Sequence, residues 1–172
     1  MRSVSKFVIN VEWSPWGMRA AADALREFGV WAQQKQNELL SRLANIGLEE
    51  ASIHFAYVRP FYNNGHYRFD AELSVEQIDN GYVIRASGED VCFIEFGAGV
   101  TYGEGYPGER PEGVVGIGEY GNKHGAEPKG WWFPVDDSWE RTLGNPPAAG
   151  MFAAEQKVRQ QVYNIAKEVF GG

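Results

Sequence analysis

The stretch that decides the fold lies at residues 14–47 and reads SPWGMRAAADALREFGVWAQQKQNELLSRLANIG. Ser14 followed by Pro15 is typical of a helix that begins with a capping side chain and a proline in its first turn. Apolar residues then recur at intervals of three, four or seven, which predicts one apolar stripe along a long amphipathic helix. Gly47 is the predicted end of the helix, because glycine favours the backbone conformation that closes helices. The stripe consists of Met18, Ala21, Leu25, Phe28, Ala32, Leu39, Leu43 and Ile46.

Four segments alternate apolar and polar residues, which is the period of a strand with one buried face. The predicted strands are KFVINVEW (6–13), ASIHFAYV (51–58), YRFDAELSV (67–75) and YVIRAS (82–87). Asp79-Asn80-Gly81 predicts a hairpin between the last two, because Asn-Gly tolerates the positive φ angles of a type I′ turn. One face of this antiparallel sheet is apolar and the other polar, as expected of a sheet that a helix covers on one side.

The second half of the chain begins with a short predicted helix, VCFIEF (91–96), with Asp90 as its cap and Gly97 at its end. Residues 98–130 are rich in glycine and proline and have no periodicity, which predicts a long inserted loop. A second hairpin is predicted at residues 130–143, with its turn at 135–138. The apolar face of a final helix at residues 149–170 carries Met151, Val158, Val162, Ile165 and Val169.

These elements predict an α+β fold in a single domain, residues 1–172. An antiparallel sheet packs against the long N-terminal helix and the C-terminal helix, and the Gly/Pro-rich loop extends from it. Cys92 stands among apolar neighbours and is interpreted as a small core residue rather than a reactive thiol.

The composition of the chain indicates which kinds of partner and which cellular compartment to expect. The net charge is −7 and no dense basic run is present, which argues against a general nucleic-acid binder. No apolar run has the length of a membrane span or of a signal-peptide core. The expected compartment is a cytoplasm, with no membrane contact.

Three glycines have the spacing of a nucleotide-binding motif, but the residues around them do not support nucleotide binding. Gly116, Gly118 and Gly121 have the spacing G-x-G-x-x-G, but the motif binds pyrophosphate only where a strand leads into a helix. The preceding GVV is too short for a central strand, and NKHGAEPKG does not begin a helix. No nucleotide or other cofactor is predicted.

Catalytic and metal-binding patterns are also missing from the sequence. His54, His66 and His124 form no closely spaced ligand pair, and His54 is expected on the polar face of a strand. The adjacent acids are typical of solvated turns, and no G-x-S-x-G elbow is present. We therefore expect no catalytic residue and no metal site.

Aromatic residues are the remaining candidates for a binding surface. Trp131, Trp132 and Phe133 lie on one predicted strand and Trp139 on its partner, so both faces of the hairpin carry bulky rings. A subunit interface and a sugar-stacking platform both suit this pattern, and the interface is favoured. The loop adds further candidates for contact with a neighbouring subunit: Tyr102, Tyr106, Ile117 and Tyr120.

Two short motifs give the chain a resemblance to a known family. The first is FIEFGAG (93–99), and the second lies in PAAGMFAAEQKVRQQVYNIAKEVF (147–170). With the long helix and the alternating strands, they resemble the tail-completion or minor tail-component proteins of the neck of long-tailed bacteriophages. In that family a V-E-F-G-T-like motif ends a short helix, and a P-A-x-P-F-x-x-A-like motif opens the C-terminal helix. The matching residues are Glu95, Phe96, Gly97, Gly99, Ala149, Gly150, Met151, Phe152 and Ala154.

The resemblance covers most of the chain except residues 100–130 and 131–144. Ala98 replaces the usual threonine and Gly150 replaces the usual proline. The family implies a structural, non-enzymatic virion protein. It implies a homo-oligomeric ring of six copies that joins the tail tube or tail terminator to the head connector or stopper. DNA would pass through without sequence-specific contact, and assembly would take place in the host cytoplasm.

Two other function classes remain open from the residues themselves. Trp131, Trp132 and Trp139 fit a carbohydrate-binding module, because aromatic faces stack on sugars. A small hydrolase would require that His54, His66 or His124 bind a metal with ligands that only the fold brings together.

Overall fold

The computed structural model describes residues 8–9, 11–62, 69–99, 105–109, 129–135 and 137–171. Over these residues the chain is an α+β protein, as predicted. Its elements, in chain order, are α1 (Pro15–Tyr62), β1 (Glu72–Ile78), β2 (Gly81–Ser87), α2 (Val91–Phe96), β3 (Trp131–Val135), β4 (Ser138–Thr142) and α3 (Gly150–Phe170).

Helix α1 begins where the sequence predicts and ends much later. The Ser14 Oγ accepts a hydrogen bond from the Gly17 N–H at 3.0 Å, which satisfies a donor that the first turn leaves without an intrahelical partner. The predicted end at Gly47 is wrong, because the helix continues to Tyr62. A Cβ at Gly47 would meet Ile84 Cδ1 and Val158 Cγ2. Glycine is there because α1, β2 and α3 approach one another closely, not because the helix stops.

The strand predicted at residues 51–58 is also wrong, because this segment is the last part of α1. Ala51, Phe55 and Val58 are buried at spacings of four and three residues, which is a helical period. Ile53 and Tyr57, which a strand would have placed beside Phe55, are exposed by 60% and 69%. The sequence of this segment fits both a strand period and a helical period, and the observed burial fits the helical one.

The strand predicted at residues 6–13 is not found in the part of it that the structure describes. Residues 8–9 and 11–12 are in neither helix nor strand. Val11 and Trp13, the expected buried side chains, are exposed. Among the described residues no strand pairs with this segment, so it has no backbone ladder to join there.

The β1–β2 hairpin confirms the predicted antiparallel pair with a different start and turn. Strand β1 begins at Glu72 rather than at residue 67. The two-residue loop is Asp79-Asn80, since Ile78 pairs with Gly81. Neither loop residue has positive φ, so the turn is not type I′. Leu73 and Ala86 of the hairpin pack against a core of Phe55, Val58, Ile94 and Ala148, together with Phe69 and Ala71 just before β1.

Helix α3 lies antiparallel along α1. Its first residue, Gly150, contacts Phe55, and its last, Phe170, has its ring 6.1 Å from that of Trp31. Between these ends, Leu43 packs with Ile165 and Val169 in a second core. Val162 is 43% exposed, so its predicted place on the buried face is wrong. The turns of α1 that precede Trp31, residues 15–30, extend beyond the end of α3 and are called the α1 extension.

Candidate assembly surfaces

The two family-like motifs meet in space, and Glu95 joins them. Glu95 lies in the last turn of α2 and is only 4% exposed. Its carboxylate accepts hydrogen bonds from the N–H groups of Met151 at 2.9 Å and Phe152 at 3.2 Å. These donors lie in the first turn of α3, where the helix itself offers no acceptor. A carboxylate is also the charge that a helix N-terminus favours, so Glu95 caps α3 from another element.

Backbone hydrogen bonds hold the same two segments together. The Ala148 N–H donates to the Ile94 carbonyl at 2.8 Å, and the Ala149 N–H donates to that of Glu95 at 3.0 Å. Ala98 and Asn145 exchange two further bonds, both 3.0 Å long. The buried Asn145 amide nitrogen also donates to the Phe93 carbonyl at 2.9 Å. Residues 93–98 and 145–152 therefore form one unit, which we call the motif junction.

Tight packing at the start of α3 explains one departure from the family pattern. A Cβ at Gly150 would lie 2.6 Å from Phe55 Cδ1 and 3.0 Å from the Ala51 carbonyl oxygen. Real side chains essentially never approach so closely, and α1 backbone is one of the neighbours. A proline ring does not fit here without a shift of Phe55. Ala149, just before it, has φ 49° and ψ 35°, the left-handed conformation that non-glycine residues rarely adopt.

Tyr106 packs against the motif junction. Its ring centroid lies 4.7 Å from that of Phe96 and 6.2 Å from that of Phe152, and its hydroxyl donates to Glu95 Oε1 at 3.3 Å. Of the loop residues predicted to face a neighbour, it is the one that the structure describes, and it is half-buried against its own chain. Tyr102, Ile117 and Tyr120 lie outside the described residues, as do Gly116, Gly118, Gly121, His66 and His124.

Asp90 has a different partner from the one the sequence suggests. It stands directly before α2, but its side chain makes no capping hydrogen bond to that helix. Asp90 Oδ2 instead accepts from the Asp70 N–H at 2.9 Å, and the Asp90 N–H donates to the Asp70 carbonyl at 3.1 Å. This buried aspartate fixes the chain where it enters β1. Cys92, close by, is half-buried and unpaired with another cysteine.

The predicted second hairpin is confirmed and displays two tryptophans. Trp132 pairs with Arg141 and Pro134 with Trp139. Paired residues share a face of an antiparallel ladder and alternate residues do too, so Trp132 and Trp139 lie on the same face. They are 61% and 66% exposed. Neither strand packs extensively on another helix or strand of the described chain. We call this β3–β4 unit the tryptophan hairpin.

His54 lies on α1 rather than on a strand. Its Nδ1 is 2.8 Å from the Ala148 carbonyl oxygen, so an Nδ1–H donates a hydrogen bond to that carbonyl. Its Nε2 is 3.7 Å from Glu50 Oε1. Lys157 Nζ is 3.4 Å from Glu50 Oε2. These groups line a shallow cavity of about 300 Å³. No group of three or more metal-ligating side chains occurs within the described residues.

The sequence interpretation missed the contact between Glu95 and α3. The signal for it was present, because Glu95 is the one charged residue in the apolar run VCFIEF. A carboxylate buried in such a run requires hydrogen-bond donors. What the sequence does not contain is the location of those donors, which lie 56 and 57 residues further along.

No protein-family model, no curated protein and no solved structure matches the chain. None of the helices in the described ranges combines the length and the hydropathy that crossing a membrane requires.

Proposed function

We propose that this chain is a structural protein of the neck of a long-tailed bacteriophage or a related particle. Copies of it form a ring, six by analogy with the family, at the head-proximal end of the tail. The observation that carries the proposal is the motif junction. The two segments that resemble the family are far apart in sequence, and Glu95 links them through hydrogen bonds to Met151 and Phe152. Through this link the two motifs together join α2 to the start of α3.

The junction supports this role mechanically. It ties α2 to α3, and α3 packs along α1, so a load on one of these elements passes to the others through hydrogen bonds and close packing. The role needs no reactive group and no cofactor. The tail tube or tail terminator and the head connector or stopper are the proposed partners.

The tryptophan hairpin is the proposed contact with a neighbouring protein. Exposed Trp132 and Trp139 present a large apolar area on one face, and tryptophan is one of the residue types enriched at interface hot spots. The net charge of −7 suits a channel through which DNA passes, since an acidic wall does not hold phosphates.

The proposal is tested in the virus that encodes the chain. Deletion of the gene should give separate heads and tails by electron microscopy, and a wild-type copy should restore infectious particles. A copy carrying Trp132→Ser and Trp139→Ser should fail to restore them. Tyr163→Ser, which removes a 74% exposed aromatic ring from α3, is the matched control and should restore them. Intact, infectious particles without the protein would rule out the proposal.

A carbohydrate-binding module is the second candidate, because Trp132 and Trp139 share one exposed face and two rings in a row can stack on a glycan. Titration of the purified protein with a glycan panel, followed by tryptophan fluorescence, separates the two functions. Saturable quenching that Trp139→Ser abolishes would favour the module; no response to any glycan would favour the neck.

A further inference from the structure

The α1 extension carries apolar side chains that α3 does not cover. The stripe that meets α3 through Leu39, Leu43 and Ile46 continues toward the start of the helix at the same spacing. Met18 and Leu25 on this continuation are 51% and 59% exposed. Seven-residue steps relate Met18 to Leu25 and Leu39 to Ile46, and each such step turns only about 20° around the helix.

The charge of the extension does not oppose contact with another copy. It carries two basic residues, Arg19 and Arg26, and two acidic ones, Asp23 and Glu27. Asp23 and Arg26 also pair with each other at 2.6 Å. The extension is therefore electrically neutral in a chain of net charge −7, so it adds no net repulsion to a contact with another acidic copy.

The extension and the tryptophan hairpin lie at opposite ends of α1. The hairpin leads through Gly144 into the motif junction, where Gly150 contacts Phe55. Leu25 is thirty residues before Phe55, about 45 Å along the helix axis at 1.5 Å per residue. A strand of five residues spans only about 17 Å. The hairpin of one chain is therefore too short to cover the extension of the same chain.

We propose that the tryptophan hairpin of one copy docks on the α1 extension of the next. The inference rests on the proposed ring, because a cyclic ring requires contact between two different surfaces of the subunit. The extension and the hairpin are two such surfaces, and both carry exposed apolar side chains, although Ala21 of the extension is buried. Trp132 and Trp139 pack on the line of Met18 and Leu25, and each copy offers one surface to each neighbour.

Variants that damage one surface at a time test this contact in purified protein. Leu25→Glu places a charge on the stripe and should lower the self-association constant about tenfold or more. Val30→Glu is the matched control. Val30 is also 59% exposed, but lies about 140° away around the helix, so its substitution should leave association unchanged. Trp132→Ser with Trp139→Ser should weaken association as Leu25→Glu does. Circular dichroism establishes that each variant is folded.

Mixing the two defective variants gives the decisive result. Each retains one intact surface, so an equimolar mixture should form dimers that contain one copy of each and should not grow further. Native mass spectrometry distinguishes the two masses. Homodimers of the hairpin variant would mean that extensions pair with each other and would overturn the proposal. A monomeric wild-type chain, or a mixture without mixed dimers, would overturn it too. If mixed dimers form but particles remain intact after deletion of the gene, the contact between copies stands and the proposed neck function is refuted.

Discussion

At the scale of single residues, a few buried groups determine how the helices meet. Glu95 is a charge taken out of water, and three donors compensate it: two backbone N–H groups and the Tyr106 hydroxyl. Removing one partner of a buried hydrogen bond leaves the other without compensation, which is more costly than the bond itself is worth. The junction is therefore sensitive to the chemistry of position 95 as well as to its size.

Glu95→Ala should lower the free energy of unfolding by roughly 2–3 kcal/mol, because it leaves two N–H groups of α3 without their acceptor. Glu95→Gln keeps the volume and one acceptor oxygen, and should lower it by roughly half as much. Urea unfolding followed by circular dichroism measures both. Losses below about 0.5 kcal/mol in both variants would show that the carboxylate does not cap α3.

Two glycines in helices give opposite predictions for the same substitution. Gly150→Ala should destabilise the protein by about 1–3 kcal/mol, because its Cβ would overlap Phe55 and the Ala51 carbonyl. Gly29→Ala should stabilise it by up to about 1 kcal/mol, since a Cβ there meets nothing within 4 Å and alanine favours helix. Thermal unfolding compares them. A stabilising Gly150→Ala would contradict the close approach of α3 to α1.

At the scale of elements, the sequence predicts what depends on local pattern and misses what depends on packing. The start of α1, the β1–β2 and β3–β4 hairpins, α2 and α3 follow from caps, alternation and helical period. The end of α1 does not follow from the sequence, because a glycine at position 47 is typical of a helix end. The reason for this glycine is the close packing of β2 and α3 against α1. The capping of α3 by Glu95 depends on a contact between distant parts of the chain, and the exposed face shared by Trp132 and Trp139 depends on strand register.

The last turns of α1 give a test that separates helix from strand at residues 51–58. Phe55 is 3% exposed, so Phe55→Ala should cost about 3–5 kcal/mol of stability. Ile53 is 60% exposed, so Ile53→Ala should cost less than about 0.5 kcal/mol. Chemical unfolding of the two variants provides the comparison. Similar, large losses at both positions would support the strand that alternation suggests and contradict the helix.

At the scale of the whole molecule, the described chain combines a fixed core with two exposed apolar surfaces. The core joins α1, α3 and the β1–β2 hairpin, and the motif junction closes one end of it. The tryptophan hairpin lies at that end and the α1 extension at the other. A subunit with different apolar surfaces at its two ends is suited to head-to-tail assembly, and closure of that assembly gives a ring.

The position of the protein in the particle tests the central claim most directly. A copy with a short epitope tag at residue 171, which is exposed, should restore infectivity to the deleted virus. Gold-labelled antibody, viewed by electron microscopy, should then mark the joint between head and tail in intact virions. Label at the distal end of the tail, on the head surface, or only on material outside the particles would contradict a neck protein.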